Sequence, residues 1–422
     1  MSRLPDVIVV GGGVIGCAVT YELARRSVAV LLVDQSLPGR ATSASAGGLW
    51  PVGEAVGLGC GVIYHTARES AEPSANGRGH GPEALPALFR DFLVRSNACF
   101  PDLAGELREL AGLDIEYAPG VGLIFVSENE AQQAFVESVA RSLPAALRLE
   151  VLTPEAVARL EPALRRDIVG GALLPGEYQV NPMLLAEAFK RAAIRLGASF
   201  RPNTGVTGLR REGRRILGVE TGTEFLPCGA VVNAAGAWAG RLAATAGLEL
   251  PVFPVRGQIV LTKTLPHTLN ACLSTSDCYL LQKAHGEILI GSTTEHSGFD
   301  VAVTPEGIRA LCRGAVRTVP MLRQVQVKRV WAGLRPGTPD ELPILGPVAG
   351  LDGYFNATGG FRTGIVASPL TGQVVAQWVS GEGPCYPCEA FLADRFSSPQ
   401  GARPGTKGAA VGISTGLQTD PA

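Results

Sequence analysis

Lysine is nearly absent from this chain of 422 residues. It occurs only five times, so 32 of the 37 basic residues are arginine. A coding bias toward arginine accounts for this more simply than any role special to arginine. No block of basic residues stands out and the formal net charge is -1, which argues against a nucleic-acid surface. No run of about 18 apolar residues exists, so a membrane span is not expected. Mean hydropathy is nonetheless high at +0.20, consistent with a large core or with sticky surfaces for partners. The nine cysteines are too few for a disulfide framework in a chain this long, which favours a reduced, cytoplasmic setting. Cys385-Tyr-Pro-Cys388 is the one CxxC, and no second pair stands near it, so no metal site is expected. The apolar start, Val7 to Val10, is followed by three glycines rather than a small-residue cleavage site, which speaks against export.

What is present is concentrated in a few glycine-rich stations. Asp6 to Val10 reads as a short buried strand by length and β-branching. Gly11-Gly-Gly-Val-Ile-Gly16 follows, then a helical pattern from Cys17 to Arg26 and a second apolar strand, Val28 to Val33, ending in Asp34. Gly11 permits the tight turn, Gly13 lets the backbone approach a pyrophosphate, and Gly16 lets helix and strand pack closely. The helix N-terminus offers unpaired N–H groups to the phosphates, and Asp34 can accept hydrogen bonds from a ribose. A dinucleotide site is therefore expected, with nicotinamide and flavin both open at this point.

Later segments weigh toward the flavin. Ala41-Thr-Ser-Ala-Ser-Ala-Gly-Gly48 is a run of small residues able to lie against a large planar ligand. Ala230-Val-Val-Asn-Ala-Ala-Gly-Ala-Trp-Ala-Gly240 and Ala357-Thr-Gly-Gly-Phe-Arg-Thr-Gly-Ile365 each bring a glycine turn before a helix. A helix N-terminus aimed at a flavin ring would stabilise the negative charge that develops on reduction. A nicotinamide enzyme would need only the first station. Two arginines remain: Arg335 in Trp331-Ala-Gly-Leu-Arg-Pro-Gly337, and Arg362 in the last station. Each keeps its charge and needs an anionic partner.

In the order GGGVIG, VVD, ATSASAGGL, VVNAAGAWAG, VRGQIVLT, GLRPGTPDELPILGP and GGFRTGI, the chain resembles the glycine oxidase and D-amino-acid oxidase family over residues 5–396. Within it, the stretches 45–63, 273–282 and 286–295 are similar to the glycine-oxidising flavoprotein subunits of bacterial hydrogen cyanide synthases. The resemblance implies an α/β chain, α+β overall: a Rossmann-like FAD-binding domain with a second, antiparallel-sheet substrate domain. The first would be discontinuous over 1–86, 150–250 and 331–396, the second would combine 87–149 with 251–330, and 397–422 would be a disordered tail. Residues 70–82 read as an exposed loop that could serve as a lid.

Carried over by motif, FAD would be held by Gly11, Gly13, Gly16, Asp34, Thr42, Ser43, Gly47, Gly48 and the backbone at Val206. Gly360, Phe361, Arg362, Thr363, Gly364 and Ile365 would contact its flavin end. Arg335 would grip the substrate carboxylate, with Tyr279 and Arg362 lining the same pocket; internal partners such as Asp340 or Glu341 are the competing reading for both arginines. Gly360 stands where members often carry histidine, and Ser27 replaces the glycine usual after the first helix.

The implied reaction is hydride transfer from Cα of a small amino acid to FAD, with glycine passing through its imine to cyanide and carbon dioxide. The protein would then sit in a hetero-oligomer with electron-transfer subunits, including an iron–sulfur protein. The implied location is cytoplasmic, with room for association at the inner face of the cell membrane. Two rivals stay open: another amino-acid oxidase or dehydrogenase of the family, acting on sarcosine, an opine or a D-proline derivative, and a non-catalytic FAD-bound scaffold.

Overall fold

A computed structural model describes residues 4–59 and 85–396. The expected loop at 70–82, the tail at 397–422 and the last residues of the stretch 45–63 lie outside it. Two sheets organise the rest. At the centre of the first, strand β1 (Val7–Val10) is flanked in parallel by β2 (Val30–Val33) and by Ala230–Asn233. Leu351–Thr358 and Ser199–Arg201 extend the parallel set outward. The central strands are apolar on both faces because helices cover one side and packed hairpins the other.

Helix α1 (Val14–Arg25) crosses from β1 to β2 and is buried from Val14 to Ala24 against the helices Pro182–Arg195 and Gly364–Val379. The crossover supplies the geometry the glycine motif requires: strand, turn, helix, strand. Ser27, just beyond α1, has φ +58, a left-handed conformation that explains why glycine is usual there.

The second sheet runs Val327–Gly337, Phe253–Thr262, Ile288–Gly291, Tyr279–Gln282, Cys272–Ser274, Leu123–Ser127, Gly170–Leu174, Glu150–Leu152. It is antiparallel apart from one parallel pair, Cys272–Ser274 with Leu123–Ser127. The sheets divide the chain differently from the boundaries expected above. Glu150–Leu152, Gly170–Leu174 and Val327–Gly337 belong to the second sheet. Helices Ala87–Asn97 and Phe100–Ala111 pack instead on the helical layer of the first. The cause is local: Phe89 and Phe92 meet Phe391 and Tyr386 in an aromatic cluster with centroids 5.2–5.6 Å apart. Composition along the chain carries no mark of that pairing.

Candidate active site

The C-terminal ends of the parallel strands open on an elongated cavity of about 500 Å³. At one end the Gly11 amide donates to the Val33 carbonyl (2.8 Å), tying the turn to both strands. Gly11 has φ +112, and a Cβ there would overlap the Ala234 carbonyl oxygen. Gly16 lies beneath the turn, where a Cβ would overlap the Gly11 carbonyl oxygen; it packs and does not line the cavity. Gly13 is the N-cap of α1 and offers no side-chain cap. A methyl at Gly13 would meet only Thr42 Oγ1, at 3.3 Å, and would fill the space before the helix N-terminus. Thr42 itself accepts from the Val14 amide (3.0 Å).

Asp34 is buried at the end of β2 and accepts from Arg40 Nη1 (2.6 Å), a partner the motif did not disclose. Thr204, Val206 and Thr207 close this end. Ser43 braces the small-residue segment through its hydroxyl, which donates to the Arg40 carbonyl (2.9 Å), and does not line the cavity. Gly47 (φ +84) and Gly48 do. At the far end Gly360, Phe361, Arg362, Gly364 and Ile365 line the cavity as the helix Gly364–Val379 begins. Thr363 instead turns in, its hydroxyl donating to the Gly360 carbonyl (2.9 Å).

Arg335, Tyr279 and Arg362 share this far end, but their charges are met differently. Arg362 is buried and pairs with the buried Glu54, Nε to Oε2 at 3.2 Å, with Glu341 at 3.9 Å. An internal carboxylate therefore meets that guanidinium. Arg335 is half-buried and meets only neutral acceptors: the carbonyls of Thr293 (3.1 Å) and Arg256 (3.4 Å), and the Ser292 hydroxyl. Among the described residues it forms no ion pair. The nearby carboxylates are taken, Glu295 and Asp300 by Arg256 and Asp340 by Arg395. Of the internal partners weighed for Arg335, neither Asp340 nor Glu341 reaches it.

Both gripping side chains rest on glycine. A Cβ at Gly257 would fall within 2.6 Å of the Arg335 Cζ, and one at Gly291 would overlap the Tyr279 hydroxyl. Tyr279 is buried and meets Trp50 edge-on, with centroids 5.6 Å apart. Trp50, Glu54 and Ser292 escaped the motif reading. Glu54 follows the small-residue run by six positions, and only the fold shows that it faces Arg362.

Beneath Trp50 the buried Glu177 accepts from the amides of Val52 (2.6 Å) and Gly53 (3.0 Å). Burial pushes its carboxyl from 4.5 up to about 8, against the lowering effect of those bonds. A carboxyl held above its unfolded value keeps its proton in the fold. Its stabilising contribution is full below the unfolded pKa and is lost as pH rises through the folded one. The Tm is thus expected to fall between about pH 5 and about pH 9, and Glu177→Gln to flatten that slope. Thermal melts across this range test it; equal slopes in both proteins would refute the assignment.

The cavity fits an extended dinucleotide. It begins at a helix N-terminus whose N-cap residue, Gly13, offers no side chain and so leaves room for phosphate, and it ends beside a cation that forms no ion pair among the described residues. The chain belongs to the FAD dependent oxidoreductase family, whose model matches residues 6–378. It is 46% identical to the hydrogen cyanide synthase subunit HcnC of Pseudomonas aeruginosa, over 94% of this chain and 97% of that protein. It is 33% identical to the glycine oxidase of Geobacillus kaustophilus, over 94% and 98%. The crystal structure of a glycine oxidase from Geobacillus kaustophilus superposes with a TM-score of 0.81 at 31% identity, covering 93% of this chain and 99% of that one. The protein is an FAD-dependent oxidoreductase.

Proposed function

We propose that the chain oxidises glycine as the flavoprotein subunit of a hydrogen cyanide synthase. The observation that carries this is Arg335, a half-buried guanidinium inside the FAD cavity that no carboxylate of the described residues neutralises. An amino-acid carboxylate supplies that missing charge, and a guanidinium can hold it by two parallel hydrogen bonds. Ser292 and the carbonyls of Arg256 and Thr293 fix the orientation of the fork before substrate arrives. Tyr279 and Trp50 wall the same end with apolar surface, leaving Cα facing the cofactor side. The Glu54–Arg362 pair spends its charge internally, so one cation and not two meets the substrate.

Bound FAD supplies a two-electron acceptor. Glycine loses two electrons and two hydrogens to become its imine, and a second two-electron loss yields cyanide and carbon dioxide. The similarity to HcnC supports the cyanide outcome, and its name as a synthase subunit supports partner subunits; transfer of the electrons to those partners, an iron–sulfur protein among them, is part of the proposal. A cytoplasmic location with association at the inner face of the cell membrane belongs to the same reading; no described helix is long and apolar enough to cross a membrane. In the same reading, Gly11, Gly13, Asp34, Thr42, Gly47, Gly48, Val206, Gly360, Phe361, Arg362, Gly364 and Ile365 hold FAD, while Gly16, Ser43 and Thr363 shape the backbone around it. The domain boundary is best drawn between the two sheets.

Anaerobic mixing of the yellow holoenzyme with glycine tests the reading. The flavin is expected to bleach, and cyanide to appear when an artificial acceptor is added. If sarcosine or D-proline bleaches the flavin while glycine does not, the chain is another oxidase or dehydrogenase of the family. If none does, it is a scaffold.

A further inference from the structure

Lys283 directly follows the strand Tyr279–Gln282, and the reaction above makes no use of it. Its ammonium reaches inward to three acceptors: the Ala46 carbonyl, Gln179 Oε1 (2.9 Å) and the Val180 carbonyl (3.2 Å). Three donors meet three acceptors, and none of these is a carboxylate. Glu116, a carboxylate whose charge acts on it, is itself held by Asn181 Nδ2 (3.1 Å) and faces His285 (3.4 Å). Burying a cation with only neutral partners is costly, so this one has to be accounted for by what it holds.

Its acceptors lie on both sides of the cofactor wall. Ala46, Gly47 and Gly48 line the FAD cavity. The Val180 amide donates to the Gly47 carbonyl (2.9 Å), and the Val180 carbonyl lies where a Cβ at Gly47 would be. Gln179 in turn pairs with Gly48 across a short two-stranded sheet. One ammonium thus ties the small-residue segment to the strand behind it, and ties both to the strand of Tyr279.

We propose that Lys283 is a positioning residue for the flavin, fixing the backbone of Ala46–Gly48 and holding it in register with the substrate wall at Tyr279. This rests on the reading that Ala46–Gly48 faces the bound FAD. Burial brings the ammonium down to about 8, while Cys272 and Glu116 act the other way. A second cavity of about 440 Å³, lined by Glu116, Gln179, His267, Lys283 and His285, offers a path for proton exchange. Deprotonation removes one of the three donors, so one acceptor is released as the pH rises.

The test titrates apoprotein with FAD, following flavin fluorescence and the visible spectrum, in wild type, Lys283→Met, Lys283→Arg and the surface control Lys328→Met. Lys283→Met is expected to raise the FAD Kd about tenfold or more and to shift the flavin spectrum, with Lys283→Arg restoring most of both. A Kd and spectrum equal to wild type in Lys283→Met, or an equal loss in the control, overturns the proposal. If Lys283→Met does not fold, the pH arm decides. The wild-type Kd should rise between about pH 7 and about pH 10 while that of Lys283→Arg stays level, and parallel profiles overturn the proposal. Reduction of the flavin by glycine in wild type is read separately, so failure of the functional reading is distinguishable.

Discussion

Arg335→Leu is expected to keep its FAD and lose most of its activity, with kcat/KM for glycine falling by about 2–5 kcal/mol in transition-state stabilisation, or roughly 30-fold to several-thousand-fold. The reason lies in what leucine leaves behind. The Ser292 hydroxyl and the carbonyls of Arg256 and Thr293 would face an incoming carboxylate with no positive charge between them. Arg335→Lys should recover only part of the loss, because an ammonium is a point charge and cannot reproduce the planar fork. The flavin spectrum of the leucine variant should be unchanged, since the guanidinium sits at the substrate end. Steady-state kinetics with an artificial acceptor check this. A kcat/KM within twofold of wild type would remove Arg335 from the site.

Gly16→Ala is expected to yield colourless protein. The added methyl would overlap the Gly11 carbonyl oxygen, and Gly11 is held on its other side by its hydrogen bond to Val33 and by the Ala234 backbone. Neither side is a side chain that can swing away, so the helix must move off the strand and take its N-terminus away from the phosphates. Gly105→Ala, in the outward part of Phe100–Ala111 where a Cβ meets nothing within 4 Å, should retain full colour and gain up to about 1 kcal/mol of helix stability. The ratio of flavin to protein absorbance after purification measures both. A yellow Gly16→Ala protein with wild-type flavin content would show that the turn tolerates the shift.

Much of the nucleotide end was legible because its signals are local. Strand β1, the glycine turn, α1 and β2 are consecutive, and each glycine does something a neighbour in sequence demands. Arg335 was legible as a cation in search of an anion, since guanidinium groups are seldom left unneutralised inside a fold. The fate of Arg362 was not, because Glu54 lies about 300 residues earlier and only the folded chain brings the helix Pro51–Ala55 and the turn before Gly364–Val379 within 3.2 Å. The support of Arg335 by Ser292 and Thr293 was missed for the same reason; the Asp34–Arg40 pair spans only six residues, but an irregular loop gives no periodic pattern to reveal it. The packing of helices Ala87–Asn97 and Phe100–Ala111 on the helical layer of the first sheet was not legible either, because it depends on partners distant in sequence and not on their own periodicity.

The glycine floors under Arg335 and Tyr279 set a limit on how this enzyme can diversify. Any residue larger than glycine at 257 or 291 would displace the clamp or the tyrosine before it reshaped the space for substrate. Lineages or laboratory libraries seeking bulkier amino acids must therefore work from other cavity-lining positions, such as Trp50. The two floor positions act as a ratchet: freely inherited, and closed to gradual change.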